Sequence, residues 1–324
     1  MLKVGQGGWR WGQDSVQTDA MATQTAFALA GLGGNNAHGA GFLTAAQQVA
    51  RGRGEASGIL PGLRMISCTS GAIATTATYL RGEDLRAELE DRIAAVRRAT
   101  RLPDGAWADP IRLPVITFLT GVPGVFGPYW KAFAEHLWRS AKDRLSSSWQ
   151  TIPAPPTFDD FLNLWYPAQV FVPELPADFF EQTAATFNDS HIGVACNSFN
   201  PGAGIEYLYV NDPGMNLIRD HHDPDAAYGQ GTGRIIYQPI TPTALQDALW
   251  LFYYGFGGHT QVDGAYARSI ILNELTFAER IWAVKPITTG GWAHCRATCS
   301  RSWTCKPNYG WAPPTASKPA RSRW

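Results

Sequence analysis

The sequence has no surplus of charge of either sign: its 324 residues carry 27 Lys and Arg against 27 Asp and Glu. A general nucleic-acid binder shows a basic excess, so nucleic acid is not an expected partner. Long apolar runs are missing as well. No stretch approaches the roughly 18 residues that a membrane-spanning helix needs, so a soluble chain is expected. The opening MLKVGQGGWRWGQDS lacks the apolar core of a signal peptide. The expected location is cytoplasmic, with peripheral contact at a membrane. Cysteine is scarce, with Cys68, Cys196, Cys295, Cys299 and Cys305. An odd, scattered set is not a disulfide framework. The last three lie near His294, yet no second ligand pair completes a zinc spacing, so no metal is expected. There is no internal repeat. Against these absences stands 45% hydrophobic content, enough for a large core.

The chain organises around that core. Residues 1–20 are expected to be a disordered extension ahead of Met21. TQTAFALAG then reads as a first strand, and the glycine-rich stretch after it leads into a helix whose Phe42, Leu43, Ala46 and Val49 fit a 3.6 period. LRMISC suits a buried strand and SGAIATTATYLRG a helix. This βαβα order implies an α/β fold with a mostly parallel sheet flanked by helices. GEDLRAELEDRIAAVRRATRL is an amphipathic helix with opposite charges at helical spacing. Residues 113–185 form an insertion crowded with Phe, Trp and Tyr, Trp130, Phe133 and Trp138 among them. Two strands follow, joined by the turn Asn200-Pro201-Gly202. TPTALQDALWLFYYGF reads as a helix capped by Thr241 or Thr243. ERIWAVKPI reads as one more buried strand, and 288–324 as a basic, irregular tail.

Three pieces can serve one reaction. Ser70 lies at a strand-to-helix turn in CTSGA, where a hydroxyl can project towards the next helix's N-terminus. The competing reading is a serine that caps that helix. The second piece, GLGGNNAHGAG, offers exposed amides for a phosphate or an oxyanion. It does not complete G-x-G-x-x-G, and no Lys follows it as in a P-loop. His38 lies inside it. The third piece is Asp263-Gly264-Ala265, a carboxylate on a strand-end loop that can act as a base or simply form a turn. His259 raises a different scheme, a Ser70–His259 triad oriented by Asp220, Asp223 or Asp225. The run DHHDPD that holds those acids reads as a solvated loop.

Taken in order, the pieces resemble the patatin-like phospholipase family. LAGLGGNNAHGAGFL is similar to its oxyanion loop and following helix, ISCTSGAI to its nucleophile elbow, and VDGAYARS to its Asp-Gly motif. The likeness runs from about residue 24 to 287. It implies a three-layer patatin-like α/β domain over 21–287 and hydrolysis of a phospholipid or other lipid ester through a Ser–Asp dyad. Ser70 would be the nucleophile and Asp263 the base. Gly31, Gly33, Gly34 and Asn35 would hold the oxyanion, and Cys68, Gly71 and Ala72 would shape the elbow. Gly264 and Ala265 complete the Asp-Gly motif. No cofactor is called for. The chain departs from the family pattern at Leu32, Asn35, Asn36, Cys68 and Ala72. A catalytically impaired lipid-binding module on the same fold is therefore the rival reading.

Overall fold

The computed structural model describes residues 23–31, 37–100, 121, 125–147, 169–231, 234–255 and 259–285. They fall within one compact unit, Met1–Lys285; Pro286–Trp324 is a second unit, outside the described residues. The two terminal segments and the Cys295, Cys299, Cys305 and His294 group therefore lie outside the described residues.

The strands are β1 (Thr25–Leu29), β2 (Leu63–Cys68), β3 (Phe126–Pro128), β4 (Phe171–Pro173), β5 (Gly193–Asn200), β6 (Ile205–Val210), β7 (Ile235–Pro239), β8 (Val262–Asp263) and β9 (Arg280–Val284). The helices are α1 (Ala37–Gly52), α2 (Ala72–Leu80), α3 (Leu85–Thr100), α4 (Trp130–Ser147), α5 (Ala177–Asp189), α6 (Asp212–His221) and α7 (Pro242–Ala248). The main sheet runs β7-β6-β5-β2-β1-β9, with β8 on β5. Strands β9, β1, β2 and β5 are mutually parallel; β6 turns back against β5, and β7 runs with β6.

Alternation along the strands builds three layers. Phe27, Leu29, Ile66, Cys68, Val194 and Cys196 face a core closed by α1, α2, α5 and α7. Ala26, Ala28, Met65 and Ala195 face α6 and the segment around Ile271 and Leu275. Asn211 ties the two sides together. Its buried side chain caps α6, accepting from Gly214 N–H (3.1 Å), and also accepts from Val194 N–H (2.7 Å) while donating to the Phe187 and Ile192 carbonyls.

Three local expectations change. Thr241, not Thr243, caps α7, and the helix stops at Ala248 instead of continuing through Phe256. Tertiary contacts override the pattern there: the Trp250 carbonyl accepts from Asp263 N–H and the indole stacks on His259. In α1, Val49 faces solvent and Ala50 is buried instead. ERIWAVKPI supplies β9, an edge strand with Ile281 and Trp282 exposed. Having no strand on its outer side, it is not buried on both faces. Within the 113–185 stretch, the described residues include the start of α5, a small antiparallel β3–β4 pair and α4, the last two meeting around Val170, Phe171 and Tyr254.

Candidate active site

The length of β5 positions the site. Its start, Gly193–Ala195, pairs with β2, and farther along Ser198 and Phe199 pair antiparallel with β8. Strand β6 occupies the opposite edge from Ala195 to Asn200. Strands β2 and β8 therefore meet head to head along one edge of β5. Ser70 follows the end of β2, and Asp263 is the last residue of β8.

Ser70 has φ of 55°, and it is the one non-glycine residue with positive φ among the described residues. A left-handed serine is strained and persists where its surroundings enforce it. Here the enforcement is a set of main-chain bonds: Thr69 N–H to Leu29 O (3.1 Å), Ala72 N–H to Thr69 O (3.1 Å) and Ile73 N–H to Ser70 O (2.9 Å). The helix-cap reading of Ser70 does not hold. Gly71 occupies the N-cap of α2, and no side chain caps that end. The Ser70 hydroxyl instead lies close enough to the Asp263 carboxylate to favour its charged form.

The small neighbours of Ser70 are explained by the same turn. Gly31, at the end of β1, lies so close that a Cβ there would overlap the Thr69 carbonyl oxygen and the Ser70 Cβ. Cys68 and Ala72 are fully buried, and neither has a positive φ, so neither position demands glycine. Burial pushes the Cys68 thiol up to about 12, which leaves it a core residue instead of a nucleophile. Gly33, Gly34 and Asn35 lie outside the described residues.

Asp263 is 2% exposed. Burial raises its pKa to about 6, against the opposing pull of the Ser70 hydroxyl and of a bond from Ala265 N–H. The Ala265 bond measures 2.8 Å, and Asp263 N–H donates to Trp250 O at 2.8 Å. Gly264 after it is buried as well, and the chain comes to the surface at Ala265 to Ala267. Gly264 is packed against Asn197 so tightly that a Cβ would collide with its amide group.

A buried ionic cluster that the motifs do not announce fixes this loop. Arg268 makes a two-pronged bond to Glu274 (2.9–3.0 Å) and reaches Glu206 through Nε (3.1 Å). Asn197 Nδ2 donates to Glu206 and to the Gly264 and Arg268 carbonyls. Two carboxylates share one guanidinium here. Burial raises Glu206, with Arg268 opposing the shift. The signal in the sequence was Glu206 and Glu274 in otherwise apolar surroundings, with Arg268 five residues after Asp263.

His259 lies apart from this arrangement. Its ring stacks on Trp250 with centroids 3.7 Å apart, and Nδ1 faces Asp247 at 3.4 Å. Asp220, Asp223 and Asp225 stand at and just beyond the end of α6, on the other side of the sheet from α7 and Asp247. The structure thus pairs His259 with none of the three orienting acids that the triad scheme names. A cavity of about 320 Å³ lies beside Asp247, Tyr209 and Gln261. Gln261 bonds both Tyr209 and Ser198, the residue opposite Asp263. His38 is exposed on the first turn of α1. Among the described residues, no three or more His, Cys, Asp or Glu group as metal ligands, and no helix is long and apolar enough to cross a membrane.

No family model and no curated protein matches the chain. Among solved structures, that of VipD from Legionella pneumophila is similar. The two are 13% identical, with a TM-score of 0.31 over 86% of this chain and 53% of that one. The chain thus spans about half the length of that structure.

Proposed function

We propose that the chain is a serine-dependent hydrolase of lipid esters with a patatin-like Ser–Asp dyad. The observation that carries this reading is the strained Ser70, whose hydroxyl leaves the helix end uncapped and turns to a buried carboxylate. At neutral pH, a carboxylate titrating near 6 is ionised yet still basic enough to accept a proton. Asp263 takes the Ser70 proton as Oγ attacks the ester carbonyl. The Gly71 amide and the dipole of α2, with the loop that begins at Gly31, stabilise the oxyanion. Protonated Asp263 passes that proton to the departing alcohol, leaving an acyl-serine; ionised again, it takes a proton from the water that attacks the acyl carbon, and returns it to Ser70 Oγ as the fatty acid is released.

A fluorophosphonate probe tests the assignment. Mass spectrometry should locate the label on Ser70. Ser70→Ala and Asp263→Ala should each lower turnover of a soluble nitrophenyl ester by about 10³-fold or more. His259→Ala should retain turnover within about tenfold, because no step runs through it. Collapse of that variant would establish a triad. An unlabelled Ser70 would establish the silent binding module.

A further inference from the structure

We infer that an aromatic, basic surface beside the Ser70–Asp263 pair docks the protein on an anionic lipid surface. The residues are Trp130, Leu137 and Trp138 on α4, with Phe252, Tyr253 and Tyr266 on the loops flanking Asp263. All six are exposed, Trp138 the most at 74%.

They surround one aromatic cluster. Trp130 lies against Phe133 (5.9 Å between ring centroids), which packs on the cluster of Val170, Phe171 and Tyr254. Phe171 meets Tyr253 (6.1 Å), and Tyr253 meets Phe252 (5.2 Å). The Tyr266 hydroxyl lies beside the main chain at Phe252. Main-chain bonds stiffen the same path: Tyr129 N–H to Val170 O (2.9 Å) and Val170 N–H to Tyr253 O (2.8 Å). Asp263 joins it through Trp250, whose ring packs on Tyr254.

The chemistry of the patch selects its occupant. Trp and Tyr combine an apolar body with a polar edge and favour the headgroup level of a bilayer. On α4, Trp130, Ala134, Leu137, Trp138 and Ala141 share one face by helical spacing, with Lys131 and Lys142 beside it and Arg139 farther round the helix. One acid lies among those cations: Glu135, 3.9 Å from Lys131 and 3.7 Å from Arg139. An exposed apolar stripe bordered by net positive charge is the pattern of an interfacial helix on anionic lipid. Docking in this orientation puts the loop that carries Asp263 at the lipid. The inference goes beyond the hydrolase reading, since binding needs no turnover.

The test is flotation of the 324-residue chain carrying Ser70→Ala with vesicles of phosphatidylcholine, alone or with about 30 mol % phosphatidylserine. Binding should favour the anionic vesicles and weaken with added salt. Trp130→Ala with Trp138→Ala should lower the partition coefficient at least about tenfold, as should Leu137→Ser with Trp138→Ser. Circular dichroism melts of both pairs verify that they fold. Trp282→Ala, on the far edge of the sheet, should bind as the parent does. Absence of flotation, or flotation unchanged in both pairs, overturns the inference. So does a dimer in light scattering that both pairs abolish, which would assign the patch to a second copy. Probe labelling of the wild-type chain is read in parallel. Label without flotation removes the docking surface alone; flotation without label removes the hydrolase reading alone.

Discussion

Replacing Asp263 by Asn should make the protein more stable at alkaline pH and leave its stability nearly unchanged at acid pH. The carboxyl titrates at about 6 in the folded chain, against an ordinary value of 3.8, because burial disfavours its charge. A rise of about two units corresponds to about 3 kcal/mol at 1.36 kcal/mol per unit. The sign follows from proton occupancy. Near pH 4 the folded carboxyl is protonated and carries no charge to bury. As pH rises through 6, the folded chain must ionise in place, whereas the unfolded chain ionised earlier at little cost. Stability attached to this group is therefore fully present below about pH 4 and lost by about pH 7. Asn keeps the shape and never ionises; its Oδ1 can accept from Ala265 and its amide can donate to Ser70. The variant should match the wild type at about pH 3 and exceed it by about 3 kcal/mol at about pH 8. For a domain of this size that is a melting difference of about 6 °C. Melts or urea titrations at both pH values measure it. Wild-type ester turnover should rise across the same interval, as the base form appears, and the variant should show none. A stability gap that stays constant with pH, or that favours the wild type as pH rises, refutes the burial argument.

Other substitutions probe the same junction. Ser70→Gly removes the strained φ, so it should raise stability by about 1 kcal/mol in a denaturant titration while abolishing probe labelling. Gly31→Ala places a methyl against the Thr69 carbonyl and the Ser70 Cβ. It should cost about 1–3 kcal/mol and, on the hydrolase proposal, lower turnover by displacing Ser70, both read on the purified variant. Arg268→Met leaves Glu206 and Glu274 buried without their shared cation. A loss of about 3–5 kcal/mol is expected near neutral pH, shrinking in acid as Glu206, raised by burial, protonates. A loss under about 1 kcal/mol would show that solvent reaches the cluster.

The sheet was legible because its strands carry their own periodicity. Residues 25–29 and 63–68 lie between breaker-rich stretches, and the helices after them alternate with period 3.6. The tight turn at Ser70 was legible for a steric reason, since small residues must cluster where two backbones touch. The partners of that turn were not. Whether Ser70 caps α2 or faces Asp263 depends on β2 and β8 sharing one edge of β5, a pairing across almost two hundred residues that no local pattern encodes. The Arg268 cluster was hidden likewise, because Glu206, Arg268 and Glu274 come from three separate segments. Helix α7 was overread: the pattern through Phe256 is helical, but the Trp250 carbonyl is claimed by Asp263 and the indole by His259.

The departures from the family pattern at Cys68 and Ala72 now have a physical measure. A glycine is irreplaceable where φ is positive or where a Cβ would strike backbone. In this elbow both demands fall elsewhere: Ser70 itself takes the positive φ, and Gly31 takes the close approach. Cys68 is an ordinary strand residue, and Ala72 is an ordinary first-turn helix residue. Their side chains point into the core without disturbing the turn. The features that cost stability are a left-handed serine, a carboxylate titrating near 6 under 2% exposure and an ionic cluster with excess negative charge. Two meet at one point, and the third braces the loop beside it. A fold that needed only a helix cap at Ser70 could have left the hydroxyl on α2 and put an apolar residue at 263. Retaining both costs several kcal/mol in total, and proton transfer between them is the chemistry that such a pair makes available.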